Sequence, residues 1–550
     1  MAESSNGITE TIFPQLDDSQ ISRLMRRGQV REARSGEVLL NPASQRANFY
    51  VVLFGSLTAT WKNDGRDRFF ATLRPGMFTG EMAMITGRRG FVEIKAAEAS
   101  SVLEIERRAL LEILRADSEL GDIFLSAFFA RRLRLIEEGI GDIVIIGINN
   151  SPDTFRIKDF LSRNYQPYSF IDVEGDSDVH ELLDRFDVGL NELPVVIGRS
   201  RIVVRNPTNE ELAICLGFND SIDQQQVRDL IVVGAGPAGL AAAVYGASEG
   251  LDVLVVEGNA PGGQAGASSR IENYLGFPLG ISGHDLAGNA FVQAEKFGAN
   301  VLIARSTRLR CDRKPYVLEI DGGELHSRTV VIAAGAEYRR LAVDGLERFE
   351  GAGVYYTATH LEAQFCANEA VAVIGGGNSA GQAAMYLSTT ARLVYLIVRG
   401  PGLGRTMSRY LIQRIEENPN IKLLTNTEVS KLEGVDRLEK VHWRDTVTGE
   451  TESHNINSLF SMIGADPNSA WLRGCLALDE QGFIKTGPDL TETELVDWKW
   501  PLPRPPILLE TSLPGVFAVG DIRSGSVKRV ASAVGEGSIA ISLVHRVLAE

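Results

Sequence analysis

The stretch that decides the fold is Asp229-Leu-Ile-Val-Val233-Gly234-Ala235-Gly236-Pro237-Ala238-Gly239-Leu240. An apolar strand runs into G-x-G-x-x-G, and the helix-favouring residues to Ser248 follow. In this setting the first glycine makes the tight turn and the second lets backbone approach a pyrophosphate. The third brings helix and strand into close contact, and the helix N-terminus offers amide donors to the anion. A second apolar strand, Val253 to Val256, ends in Glu257, placed to accept hydrogen bonds from the hydroxyls of an adenosine ribose.

The pattern recurs downstream. Strand Ala370 to Ile374 leads into Gly375-Gly-Gly377-Asn378-Ser379-Ala380, with helical sequence through Tyr386 behind it. Two such units imply two dinucleotides. The position equivalent to Glu257 is reached at Val398, followed by Arg399 rather than an acid. A carboxylate there would repel a 2′-phosphate, whereas Arg399, helped by Arg405 or Arg409, can pair with one in two-pronged fashion. This points to NADPH; if the arginines only solvate a loop, NADH stays open.

Working outward, 550 residues exceed one hydrophobic core and imply about three to five packed units. With 44% hydrophobic and 23% charged residues the composition is that of a globular, water-soluble chain. A net charge of −15 argues against nucleic acid and anionic membranes as partners. No apolar run reaches the roughly 20 residues needed to span a bilayer, and Met1 to Glu10 lacks a secretory profile, so the expected location is cytoplasmic. The four cysteines, Cys215, Cys311, Cys366 and Cys475, are scattered too widely to suggest a disulfide framework or a metal knuckle, and no metal is expected. No CxxC occurs.

The expected organisation is multidomain α/β. Residues 1–140 read as a β-roll, with strands at Phe49 to Ser56 and Phe69 to Leu73 and helical sequence from Arg107. Residues 141–220 read as a small α/β sandwich: strand Ile143 to Ile148, helix Thr154 to Arg163, strand Tyr168 to Val173, helix Val179 to Phe186, strand Val195 to Ile197. A polar linker follows from Asn219 to Gln226. From residue 228 onward run the two glycine-loop nucleotide units.

The order of the two fingerprints resembles that of low-molecular-weight thioredoxin reductases, and further residues carry the match from about 228 to 550. Gly262-Gly263-Gln264 and Ile271-Glu272-Asn273-Tyr274 are similar to that family's flavin-side segments, and Thr329 to Gly335 to its crossing strand. Gly520-Asp521 is similar to the motif whose carboxylate holds the ribityl chain. The resemblance implies two Rossmann-like domains, a discontinuous FAD-binding domain at 228–345 and 465–550 around an NAD(P)H-binding domain at 346–464, with FAD and NADPH as cofactors, and a homodimer. Where the family carries its redox-active CxxC, however, this chain reads Thr357-Ala358-Thr359-His360. A dithiol relay needs one sulfur to attack and one to resolve, so thiol exchange is not expected here. His360 is a candidate proton donor to the flavin or a packing histidine. Cys366, the sole thiol near this segment, is a candidate reactive group or a buried structural cysteine.

The N-terminal modules resemble two more families. Met77-Phe-Thr-Gly80-Glu81-Met-Ala-Met84 is similar to the phosphate-binding cassette of cyclic nucleotide-binding domains, which makes Gly80 and Glu81 candidate ligand residues. A gapless reading places Gly90 where the family's arginine belongs and Glu93 near the phosphate; Arg88 or Arg89 could substitute after a one-residue shift. The 141–220 segment resembles a glutaredoxin or thioredoxin fold. Leu193-Pro194 matches its cis-proline, and Ser151-Pro-Asp-Thr154 stands where its cysteines would be. The flavoprotein partner of alkyl hydroperoxide reductases has a similar fusion but needs two CxxC pairs.

The expected function is an FAD-dependent NADPH oxidoreductase that passes electrons to an external acceptor, a small molecule or a protein, without an internal redox disulfide. One alternative is a ligand-responsive sensor with little turnover, a cyclic nucleotide being its candidate ligand. Another is a thioredoxin-disulfide reductase using a non-standard thiol route. A ferredoxin–NADP reductase of this fold also lacks CxxC but carries a C-terminal aromatic extension. Here the chain ends at Glu550, and Trp498-Lys-Trp500-Pro-Leu-Pro-Arg504-Pro-Pro506 is either a related device or a proline-stiffened surface loop.

Overall fold

The computed structural model describes residues 12–41, 48–63, 66–80, 83–86, 92–137, 143–149, 151–173, 183, 188–198, 203–219, 222–268 and 270–550. Glu81, Arg88, Arg89 and Gly90 lie outside the described residues, as does the expected helix Val179 to Phe186 apart from Leu183. Two compact units are present. Unit 1 comprises Met1–Ile148, Asn164–Ile222 and Glu295–Phe297, and unit 2 comprises Asn149–Arg163, Asp223–Ala294 and Gly298–Glu550.

In unit 1, alternating apolar residues build two antiparallel sheets. One orders Gln29–Ala33, Ser100–Ile105 and Phe49–Phe54; the other orders Val38–Leu40, Glu93–Ala96, Leu57–Asn63 and Arg66–Leu73. Tyr50, Val52, Leu57, Ala59, Leu73 and Val102 share one buried cluster, as expected of a roll whose strands face inward at every second residue. The helices Arg107–Ala116 and Ser118–Glu137 follow. Further along, a four-stranded sheet runs Val203–Arg205, Val195–Ile197, Val144–Gly147, Ser169–Asp172, and the Leu193–Pro194 peptide that leads into Val195–Ile197 is cis.

Unit 2 holds two parallel-sheet folds. In the first, Asn300–Ile303, Val253–Glu257, Val227–Val233 and Gly323–Ile332 lie side by side. The long strand Gly323–Ile332 then serves two neighbours on its other side: its first half pairs antiparallel with Tyr316–Ile320, and its second half pairs parallel with Val516–Ala518. That last strand returns from the end of the chain, so the fold is discontinuous. Between its parts sits the second fold, with Val354–Tyr355, Leu459–Ser461, Ala370–Ile374, Leu393–Ile397 and Ile421–Leu424 all parallel. Its central strand shows why the sequence reads as a continuous apolar run. Val371 and Val373 face one cluster with Leu387 and Leu411, while Ala372 and Ile374 face another with Trp443 and Leu438, so both faces are covered.

Widely spaced cysteines do not exclude a disulfide, and here the expectation from spacing is overturned. Cys311 and Cys475, 164 residues apart, are joined, with Cα atoms 5.8 Å apart. Cys311 follows the edge strand Ser306–Arg310, and the chain returning through Ala470–Leu472 passes beside that strand. Long-range return of this kind leaves no trace in local spacing. Among the described residues no helix is long and apolar enough to cross a membrane.

Candidate functional site

The first glycine loop is shaped by contacts that admit no side chain. Gly234 has φ +100°, and a methyl there would lie 2.4 Å from the Ala333 carbonyl oxygen; one on Gly239 would lie 1.9 Å from the Gly234 oxygen. The helix Pro237–Ser248 therefore meets its strand almost backbone to backbone, with Ala238 buried beside Gly239. Its N-cap, Gly236, provides no side-chain bond, which leaves the first-turn amides available to an anion. In front of Gly236 there is room: a methyl built on it would meet only the Gly263 Cα, at 3.9 Å. Such an open, donor-lined cradle fits a dinucleotide diphosphate.

Glu257 ends the neighbouring strand and is already oriented by the loop, since Oε2 accepts from the Ala235 amide at 2.7 Å and Oε1 from the Asn259 amide at 2.9 Å. Gln264 donates through Nε2 to the Ala336 carbonyl at 2.5 Å, which ties the Gly263 turn to the segment after Gly335. Gly520 donates its amide to Glu536 at 2.7 Å, and Glu536 in turn pairs with Arg523 at 2.6 Å. Asp521 follows, its carboxyl raised above the usual range by burial, with Lys528 opposing and Glu536 reinforcing the shift. Asn273 is exposed, and its neighbour Glu272 pairs with Arg414 of the second fold at 2.8 Å.

The second loop repeats the plan with different chemistry. Helix Asn378–Leu387 has Gly377 as an N-cap without a side-chain bond. Asn378 Oδ1 accepts from the Ser408 amide at 2.7 Å, Thr406 donates to the Gly376 carbonyl at 2.6 Å, Ser379 is exposed and Ala380 is buried. Arg399 and Arg405 are both exposed, and neither has an ion-pair partner among the described residues.

Between the folds lies Thr357-Ala-Thr-His360. The Thr357 hydroxyl donates to Glu362 Oε1 at 2.5 Å, and Thr359 gives Oε2 both its amide, at 2.7 Å, and its hydroxyl. Glu362 is 1% exposed, so a buried carboxylate gathers the hydroxyls that stand in this segment. His360 opens the helix His360–Phe365; its side chain lies outside the described residues. Cys366 is fully buried among Val371, Ala384 and Phe460, and its thiol is pushed up to about 11, chiefly by burial. That is a packing cysteine, protonated at neutral pH.

In the N-terminal roll, Gly80 is held by a residue that sequence reading passed over. Arg131, 3% exposed on the helix Ser118–Glu137, donates to the Gly80 carbonyl at 2.7 Å. Glu93, expected near a cyclic phosphate, pairs with Lys95 at 2.5 Å. The Trp498–Pro506 segment is pinned by Arg504, which bridges the buried Glu510 at 2.7 Å and Glu550 at 2.8 Å, a structural role.

Comparison with known proteins agrees with this geometry. The family model "pyridine nucleotide-disulphide oxidoreductase" matches residues 228–537, and that of the cyclic nucleotide-binding domain matches 30–117. The thioredoxin reductase of Ureaplasma parvum is 35% identical over 317 residues, covering 58% of this chain and 95% of its own; that of Mycolicibacterium smegmatis is 36% identical over 327, covering 59% and 98%. Among solved structures, Lactococcus lactis thioredoxin reductase superposes with TM-score 0.52 at 27% identity, covering 58% of this chain and 99% of that one. The T. acidophilum enzyme gives TM-score 0.52 at 28%, covering 59% and 99%. The chain thus belongs to the pyridine nucleotide-disulphide oxidoreductases, as an NAD(P)H-dependent flavin oxidoreductase of thioredoxin reductase type that uses FAD and NADPH and carries an N-terminal cyclic nucleotide-binding domain.

Proposed function

We propose that this oxidoreductase delivers electrons from its flavin directly to an external acceptor, with no thiol relay at residues 357–360. When bound, FAD would supply the redox chemistry between NADPH and the acceptor. The protein contributes placement and charge. Gly234, Gly236, Pro237, Ala238, Gly239, Gly263, Gln264, Asn273 and Gly335 shape the FAD cradle; Glu257 receives the adenosine ribose, and Gly520-Asp521 the ribityl chain. Gly375, Gly377, Asn378, Ser379 and Ala380 cradle the NADPH diphosphate, with Arg399 and Arg405 facing its 2′-phosphate. The FAD-binding domain occupies 228–345 and 465–550 and the NAD(P)H-binding domain 346–464.

The observation that carries this proposal is the Thr357–Glu362 cluster: a carboxylate and hydroxyls occupy the place of a dithiol, and the nearest thiol, Cys366, is buried and protonated. The Cys311–Cys475 disulfide is badly placed to substitute. Register carries Arg310 through Val317 and His326 to Val227, the end of the sheet opposite Gly234. Seven residues of strand separate those ends, about 20 Å. Stopped-flow reduction by NADPH followed by a panel of acceptors (thioredoxin, ferredoxin, quinones) tests the proposal. Rapid turnover with thioredoxin, abolished by Cys311→Ser, would overturn it.

A second reading has its own support, since the match at 30–117 makes a cyclic nucleotide the candidate ligand of the N-terminal domain. Calorimetry with cAMP and cGMP checks it, and the absence of heat at millimolar ligand would reject it.

A further inference from the structure

The helix Pro152–Arg163 follows Ser151, where the cysteines of a thioredoxin fold are missing, and sequence reading gives it no other role. The chain enters unit 2 at Asn149 and leaves it after Arg163, so this helix packs within the reductase unit. Its N-terminal half is seated by apolar contact. The Phe155 ring lies 5.6 Å from that of Tyr355 and 6.3 Å from that of Phe365, and Pro152 would touch a methyl on Gly351 at 3.1 Å.

The C-terminal half is polar. Arg163 donates through Nη2 to the Gly263 carbonyl at 3.1 Å, and its Nη1 stands 3.8 Å from Asp159. Gly263 abuts the nucleotide loop, since a methyl on it would lie 3.0 Å from the Gly236 Cα. The guanidinium is therefore one residue removed from the open front of Gly236, and the Arg163 side chain is 19% exposed. A guanidinium has five donors and a charge that needs an anion when shielded from water. A neutral carbonyl and a carboxylate beyond hydrogen-bond distance offset that charge only in part. Apolar docking of the helix is already secured by Phe155 and Pro152, so the cation is not needed to hold it.

We propose that Arg163 is an FAD-binding residue, its guanidinium pairing with the cofactor's diphosphate beside Gly236 and Gly263, and that Asp159 is the positioning residue that aims it. The proposal rests on reading Gly234–Gly239 and Gly263 as the FAD cradle. A segment upstream of both nucleotide folds thereby completes the flavin site.

The test is FAD titration of the full-length, deflavinated protein by flavin fluorescence, comparing the parent with Arg163→Gln, Arg163→Lys and Asp521→Asn. Arg163→Gln is expected to raise the FAD Kd at least tenfold, with the thermal transition of the deflavinated protein unchanged. Arg163→Lys keeps the charge and loses the fork, so it should fall between the two. An Arg163→Gln Kd within twofold of the parent overturns the proposal. Should that variant fail to fold, a parental Kd in Arg163→Lys overturns it equally. Asp521→Asn separates the two failures: if it weakens FAD while Arg163→Gln does not, only the role of Arg163 is lost; if neither weakens FAD, the cradle reading falls as well.

Discussion

The two nucleotide folds share a backbone plan and differ in two side-chain decisions. In the first, helix Pro237–Ser248 is squeezed from both sides. Gly239 leaves no room toward the strand, and a methyl on Gly537 of the last helix, Val530–Ala549, would lie 2.1 Å from the Ala238 carbonyl oxygen. In the second, the third glycine is replaced by Ala380, whose Cβ is accommodated; a methyl on Gly375 would lie 3.1 Å from it. The second decision lies at the end of the second strand, Glu257 closing it in one fold and Arg399 standing two residues beyond Leu393–Ile397 in the other. In the proposed function, glycine geometry lets each loop hold a dinucleotide and the terminal side chain selects which one.

The largest effect should come from breaking the tighter loop. Gly239→Ala forces a methyl into the 1.9 Å gap to the Gly234 carbonyl oxygen, a backbone atom that cannot step aside. Overpacking of this kind costs about 1–3 kcal/mol or more. The variant should purify with little FAD, read as the ratio of flavin to protein absorbance, and with a lowered thermal midpoint. Its counterpart Ala380→Gly should keep full flavin and lose only about 0.5–1 kcal/mol of helix stability. Equal losses in both variants would show that the two loops are packed alike.

Charge swaps come next and should separate cleanly. Glu257→Gln weakens charge-assisted bonds to the Ala235 and Asn259 amides and to a ribose, a loss of about 1.5–3 kcal/mol at most. It should raise the FAD Kd and leave the NADPH KM alone. Arg399→Ala should lower kcat/KM for NADPH about tenfold, near 1.4 kcal/mol, with NADH unaffected and FAD content unchanged. If NADH suffers equally, Arg399 does not read the 2′-phosphate.

These contrasts were largely legible in the sequence because each is local. Strand, glycine loop and helix occupy consecutive residues, and the structure places Ala370–Ile374 within the stretch read as that strand. Boundaries moved by one to three residues in both directions: outward for Pro152–Arg163 against the expected Thr154 start, because proline is well suited to a first helical turn, and inward for Val144–Gly147 against the expected Ile143 to Ile148. What stayed hidden is non-local. The Cys311–Cys475 bond, the Arg131 contact to Gly80 and the Arg163 contact to Gly263 each join residues 50 or more positions apart, and no periodicity encodes such a meeting. The Thr357–Glu362 cluster was half visible. The missing thiols were plain in the sequence, whereas the buried carboxylate that replaces them required the fold to bring it inward.

The last prediction concerns pH and falls on the FAD side of the comparison alone. Asp159 is pushed up to about 6, chiefly by burial, with Arg163 opposing and Glu362 adding to the shift; its ordinary value is 3.8. Between those two values the folded protein holds a proton that the unfolded chain has released. Stability therefore falls as pH rises from about 4 to 6, at a slope below the roughly 1.4 kcal/mol per pH unit of full linkage, and is level above that window. Asp159→Asn removes the titration, so the thermal midpoint of the deflavinated parent should drop relative to that variant across the window, and the two curves should run parallel above it. A diphosphate paired with Arg163 would add negative charge beside Asp159 and weaken the cation's hold on it. FAD binding should then be accompanied by proton uptake near pH 6, whereas NADPH binding, centred on Gly375 and Arg399, should not. Calorimetry in buffers of different ionisation enthalpy reads that uptake directly, and equal uptake for both cofactors would place Asp159 outside the first fold's electrostatic reach.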